Sequence, residues 1–104
     1  MDDPDAEILT RVSKIEGFLA SVLYKDALDD WELAKDLGEL LIRIDGEEIM
    51  GHALLARACR HIGDRRRASE ELGKCKALIT RQNLSAPHRE LFLQALSQEA
   101  ERLT

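Results

Sequence analysis

Residues 57–75, RACRHIGDRRRASEELGKC, gather two cysteines, a histidine and five arginines into nineteen positions. Thiols and imidazoles bind metals and act as nucleophiles, and guanidinium groups bind phosphate. A structural zinc site needs four ligands, commonly with paired CxxC spacing. The chain offers Cys59, Cys75, His52, His61 and His88, with no CxxC. Cys59 and Cys75 fall on apolar stripes of helical spacing, where a free cysteine behaves as a small buried hydrophobe. No metal and no cofactor are expected. His61 lies two residues from Cys59, which points it to another helix face and rules out a Cys–His pair. Glycines occur singly or at helix joints, so there is no phosphate-cradling loop. The carboxylates are scattered on polar faces. No catalytic residue is expected, and the chain is read as a non-enzyme. Arg66-Arg67-Ala68-Ser69 looks like a basic kinase-substrate motif, but Ser69 falls inside a helix rather than on a flexible segment.

Arg65, Arg66 and Arg67 open one helix, and Arg57 and Arg60 lie near the end of the preceding one. Five guanidinium groups are enough to neutralise several phosphates. The chain as a whole carries −5, and aromatic residues for base stacking are only 4%. Arginine at a helix N-terminus also opposes the dipole. Nucleic acid is therefore disfavoured as a partner, and Arg65, Arg66 and Arg67 are read as a basic rim. The charge is uneven along the chain. Residues 1–48 hold 14 acidic and 5 basic side chains, a balance of −9, and residues 49–104 hold 6 and 10, a balance of +4. Such a dipolar chain can orient a charged partner, including another copy of itself.

These side chains must be held by helices. The 104 residues suit one small domain, 44% are hydrophobic, and Ala, Leu, Glu, Arg and Lys predominate. Apolar spacing predicts five helices. The first runs from about residue 6 to 24 with Ile8, Val12, Ile15, Leu19, Val22 and Leu23 on one face. Asp29 and Asp30 are N-cap candidates for the second, which carries Leu33, Ala34, Leu37, Leu40, Leu41 and Ile44, with Gly46 as a left-handed C-cap. The third spans about 47–62. Gly63 stops it, and Asp64 caps a fourth carrying Ala68, Leu72, Cys75, Leu78 and Ile79. Ser85 caps a fifth, with Pro87 in its first turn. No apolar run approaches the ~20 residues that cross a bilayer, and the acidic start MDDPDAE is unlike a signal peptide. A cytoplasmic protein with two reduced thiols is expected.

Two offsets reveal a period. Ala34 and Ala68, and the caps Asp30 and Asp64, are each 34 residues apart, the tetratricopeptide spacing. Within 49–80, His52, Leu55, Ala56 and Cys59 occupy the signature positions of a first helix. Gly63-Asp64, Ala68 and Leu72 occupy the turn and second helix. The segment resembles one tetratricopeptide repeat. A weaker unit covers about 15–46, where Val22, Lys25 and Gly38 depart from the pattern, and a capping helix covers about 86–102. The whole chain, 1–104, is then one all-α domain of antiparallel helix-turn-helix repeats, a small superhelix.

The resemblance implies a protein-protein interaction module that holds a peptide or protein segment in a concave groove. The positions that face this groove are Leu19, Leu23, Met50, Ala53, Arg57, Arg60 and His61. Arg57, Arg60 and His61 would be polar anchors suited to an acidic or C-terminal segment. Leu19 and Leu23 stand where a carboxylate clamp would need Lys and Asn, so that clamp is not expected. The alternative is self-association, as a homodimer or one segment of a longer superhelix.

Overall fold

The computed structural model describes residues 3–103, and every regular element in them is an α-helix. Helix α1 spans Pro4–Ser13, α2 Phe18–Leu23, α3 Trp31–Ile44, α4 Ile49–Ile62, α5 Arg65–Arg81 and α6 Ala86–Leu103. Short connections make α3, α4, α5 and α6 fold back one on the next, and α3 with α4 and α4 with α5 form the most extensive helix pairs.

The first helix departs from expectation. The apolar spacing predicts one helix over 6–24, but the chain leaves the helix after Ser13 and re-enters it at Phe18, so the described residues form six helices rather than five. Gly17 has φ +67°, a left-handed conformation that ends any continuous helix. The break sends the two halves to different partners: α1 packs against α3 and α2 against α4. Phe18 and Val22 are thereby buried beside Leu33, Ala34 and Leu54, while Ile8, Val12 and Ile15 are only half-buried on the same cluster.

The expected caps at Asp30 and Asp64 are present. The Asp30 carboxylate accepts the Leu33 N–H at 3.1 Å, and the Asp64 carboxylate accepts that of Arg67 at 3.1 Å. Gly63, at φ +98°, closes α4, and the Asp64 N–H reaches the Cys59 carbonyl at 2.8 Å. Gly46 is not left-handed: the only positive-φ glycines are Gly17 and Gly63, and α3 ends on Asp45 in extended conformation. The Gly46 carbonyl instead faces the His52 ring. Ser85 precedes α6 with its hydroxyl 2.8 Å from His88 Nδ1. Ile44, assigned to the apolar stripe of its helix, is exposed at the helix end, as is Ile62 at the end of α4.

The two helices at the centre approach closely. A Cβ on Gly38 would lie 3.0 Å from the Gly51 carbonyl oxygen and 3.1 Å from the Leu55 nitrogen. A Cβ on Gly51 would lie 3.1 Å from both the Ile42 and Leu41 side chains. This explains why Gly38 departs from the repeat pattern: the backbone of α4 fills the space a large residue would take. Ala34, Ala56 and Ala68 are fully buried as well.

Both cysteines are free and buried, Cys75 in the α4–α5–α6 core and Cys59 beside Leu55 and Ala68. Burial pushes the Cys75 thiol up to about 12, and it raises the Cys59 thiol above its ordinary value. Neither should react with Ellman's reagent at pH 8 until the chain is unfolded. Stoichiometric labelling of either in the native state would contradict this packing.

Candidate functional site

Helices α2, α4 and α6 enclose a cleft of about 340 Å³. Met50, Ala53 and Arg57 from α4 form its floor, following one another along the helix. Leu23 and Tyr24 form one wall, and His88, Leu91, Phe92, Ala95 and Glu99 form the other, with Ile49, Leu72 and Leu96 completing the lining. Apart from Arg57, His88 and Glu99, every lining residue is apolar or aromatic. Leu91 is 65% exposed and Tyr24 87%, although both line the cleft.

α6 makes this wall because its apolar stripe is two columns wide. Phe92 and Leu96 turn into the core against α5, whereas Leu91 and Ala95 remain exposed toward the cleft. Sequence reasoning took the segment of about 86–102 only as a capping helix and so missed the α6 wall. A stripe of adjacent pairs, 91–92 and 95–96, is the signal that a helix serves two surfaces.

Of the expected groove residues, Leu23, Met50, Ala53 and Arg57 line the cleft; Leu19, Arg60 and His61 do not. Leu19 is exposed on α2 outside it. The expected polar anchors are engaged within the chain. Arg57 is 8% exposed. Its Nε donates to Glu99 at 3.0 Å, and its Nη1 donates to the carbonyls of Val22 and Leu23 at 2.9 and 2.6 Å. It therefore satisfies carbonyls left open at the end of α2. Arg60 Nε donates to Glu99, and its Nη2 reaches both Asp26 oxygens at 2.6 and 2.7 Å. His61 Nε2 lies 2.7 Å from Asp26 and its ring stacks on Trp31 at 3.8 Å between centroids. Arg102 completes the cluster, 3.4 Å from Asp26 and 3.7 Å from Glu99. The hydrogen bonds of Arg57, Arg60 and His61 join residues 34–42 apart, which no local spacing reveals. Of the basic rim, Arg66 pairs with Glu70 along its own exposed helix face, and Arg67 bridges Glu39 and Glu71.

A second polar cluster is buried between α4 and α5. His52 Nδ1 lies 2.6 Å from Glu71 and its Nε2 lies 2.9 Å from the Gly46 carbonyl. Lys74 also donates to Glu71, at 3.2 Å. Burial alone would raise the Glu71 carboxyl, but hydrogen bonds from His52 and Lys74 outweigh it and hold the group below its ordinary 4.5. Asp26 behaves alike: burial raises it, and Arg60 and His61 bring it below its ordinary 3.8. A carboxyl lowered in the folded state stabilises the fold fully above its unfolded value and loses that contribution as pH falls through the folded one. The urea midpoint should thus fall steadily below about pH 4.5. The Glu71→Gln variant should start lower at neutral pH and show a shallower acid dependence. A wild-type slope retained in Glu71→Gln would remove Glu71 from this account.

Among the described residues no group of three or more His, Cys, Asp or Glu side chains is placed to hold a metal ion. Among the described residues the chain is all-α, and α2, α4 and α6 enclose an apolar cleft. No family model, no curated protein and no solved structure matches the chain.

Proposed function

We propose that this protein is a tetratricopeptide-like interaction module that binds a segment of another protein in the α2–α4–α6 cleft. The observation that carries this reading is Leu91: a large apolar side chain, 65% exposed, on a cleft wall whose neighbours are also apolar. Exposed apolar surface gathered into a concavity marks an interaction site. The buried arginines organise the cleft end rather than offering free anchors, so apolar contact supplies most of the affinity. Among the described residues no helix is long and apolar enough to cross a membrane. Two buried thiols suit a reducing compartment such as the cytoplasm.

Leu91→Asp tests this, with Leu93→Asp as control, because Leu93 is 40% exposed on the same helix but does not line the cleft. In parallel affinity captures, proteins retained by wild type and by Leu93→Asp should be lost with Leu91→Asp, and both variants should melt within a few degrees of wild type. Equal capture by all three would sink the cleft as the binding site.

The charge asymmetry of −9 against +4 favours a second reading, self-association of acidic front on basic back. Sedimentation velocity at low and high salt decides it. A single monomeric species over the whole concentration range at low salt excludes that reading.

A further inference from the structure

We infer that the segment the cleft takes is an amphipathic α-helix, apolar on one face, with an acidic residue near the end that meets Arg102. This rests on the reading of the cleft as a protein-binding site and adds the conformation and charge of the occupant.

The main chain around the cleft decides the conformation. Its lining residues lie in α2, α4, α5 and α6, or, for Tyr24, at the end of α2 with the N–H bonded to the Ala20 carbonyl. Apart from Ile49 and His88 in the first turns of α4 and α6, and the Tyr24 carbonyl, their backbone groups are used within the helices. The carbonyls of Val22 and Leu23 are taken by Arg57. An extended segment would bury a row of its own N–H and C=O groups against walls that offer few groups to pair them, at a heavy desolvation cost. A helix satisfies its backbone internally and presents only side chains. The volume agrees: about 340 Å³ is at the small end of binding clefts, room for a few side chains of a helix face. On the walls, Leu91 and Ala95 form an i, i+4 ridge facing Leu23 and Tyr24, the relief into which a helix of three- and four-residue apolar spacing interdigitates.

The charge follows from the cluster at the Arg57 end. There, three guanidinium groups, from Arg57, Arg60 and Arg102, share two carboxylates, Asp26 and Glu99. Arg60 is held at 2.6 Å, whereas Arg102 is the outermost, 42% exposed, with contacts of 3.4 and 3.7 Å. The surplus positive charge therefore sits on Arg102, on the same helix as Leu91 and Ala95. A carboxylate there gains a charge partner without displacing the buried pairs.

The test is selection from a displayed library of random peptides on the full chain. Enriched sequences should carry apolar residues at three- and four-residue spacing, an acidic residue at one end and no internal proline, and should turn helical on binding by circular dichroism. Arg102→Glu should weaken such a peptide about tenfold and Lys in place of the peptide's acid should restore it. Enriched peptides with strictly alternating apolar residues, or with no acidic bias, would overturn the inference while leaving the cleft a binding site. Absence of any enrichment that Leu91→Asp abolishes would overturn both.

Discussion

Gly38→Val should lower the melting temperature by roughly 8–24 °C, one of the two largest effects expected from a single substitution in this chain. The new Cβ alone would lie 3.0 Å from the Gly51 oxygen, 3.1 Å from the Leu55 nitrogen and 3.2 Å from the Leu55 Cβ. Two of these are main-chain atoms of α4, which cannot swing away as a side-chain tip can. Overpacking of this kind costs about 1–3 kcal/mol, and two further methyl groups in the same seam put valine near the upper figure. Each kcal/mol shifts the midpoint of a domain of this size by about 4–8 °C. Helix propensity acts in the opposite direction and recovers at most about 1 kcal/mol. Gly73→Ala isolates that smaller effect, because nothing lies within 4 Å of its added Cβ. It should raise stability by about 0.5–1 kcal/mol. Thermal melts of the two variants check both signs, and a Gly38→Val protein that melts with wild type would show that α3 and α4 do not approach as described.

Arg57→Ala should destabilise the chain by about 3 kcal/mol, measured by urea unfolding. Removing the guanidinium withdraws a partner from Glu99, whose side chain is only 4% exposed, and leaves the Val22 and Leu23 carbonyls to find other donors. Glu99 keeps Arg60 and Arg102, which places the loss at the low end of the ~3–5 kcal/mol typical of a broken buried pair. Glu99→Ala should cost a similar amount. Because the two side chains share one network, the double variant should be more stable than the sum of the singles implies, by more than about 0.5 kcal/mol. Additive losses would mean that the two residues act separately.

Features set by local chemistry were legible in the sequence. Asp30 and Asp64 cap helices because a short carboxylate before an apolar-periodic run accepts an N–H of the first turn. Gly63 closes α4 because only glycine takes that backbone angle at little cost. The all-α class followed from the same patterning. What could not be read depends on which helix faces which. The apolar spacing runs unbroken from Ile8 to Val22, and only Gly17, an isolated glycine in a helical pattern, hints that the chain turns there. Gly38 looked like a defect in the repeat until Gly51 appeared opposite it. The candidate site was half legible. The α4 residues Met50, Ala53 and Arg57 were reached through the tetratricopeptide resemblance, but the α6 wall and the Arg57–Glu99 pairing depend on contacts across about 40 residues. Arg57 and Arg60 looked like free anchors because a sequence shows a charge without its counter-charge.

Helix α2 is six residues long, Phe18–Leu23, and a helix so short has almost no persistence of its own in water. Its C-terminal carbonyls are held by Arg57 of α4, and that guanidinium is in turn oriented by Glu99 of α6. One wall of the cleft is therefore a product of the other two. Any displacement that draws α6 away from α4 withdraws Glu99, loosens Arg57 and frees the end of α2 to unwind. The width of the cleft and the integrity of its wall are thus a single variable, and an occupant that fits the closed form shares its binding free energy with the folding of α2.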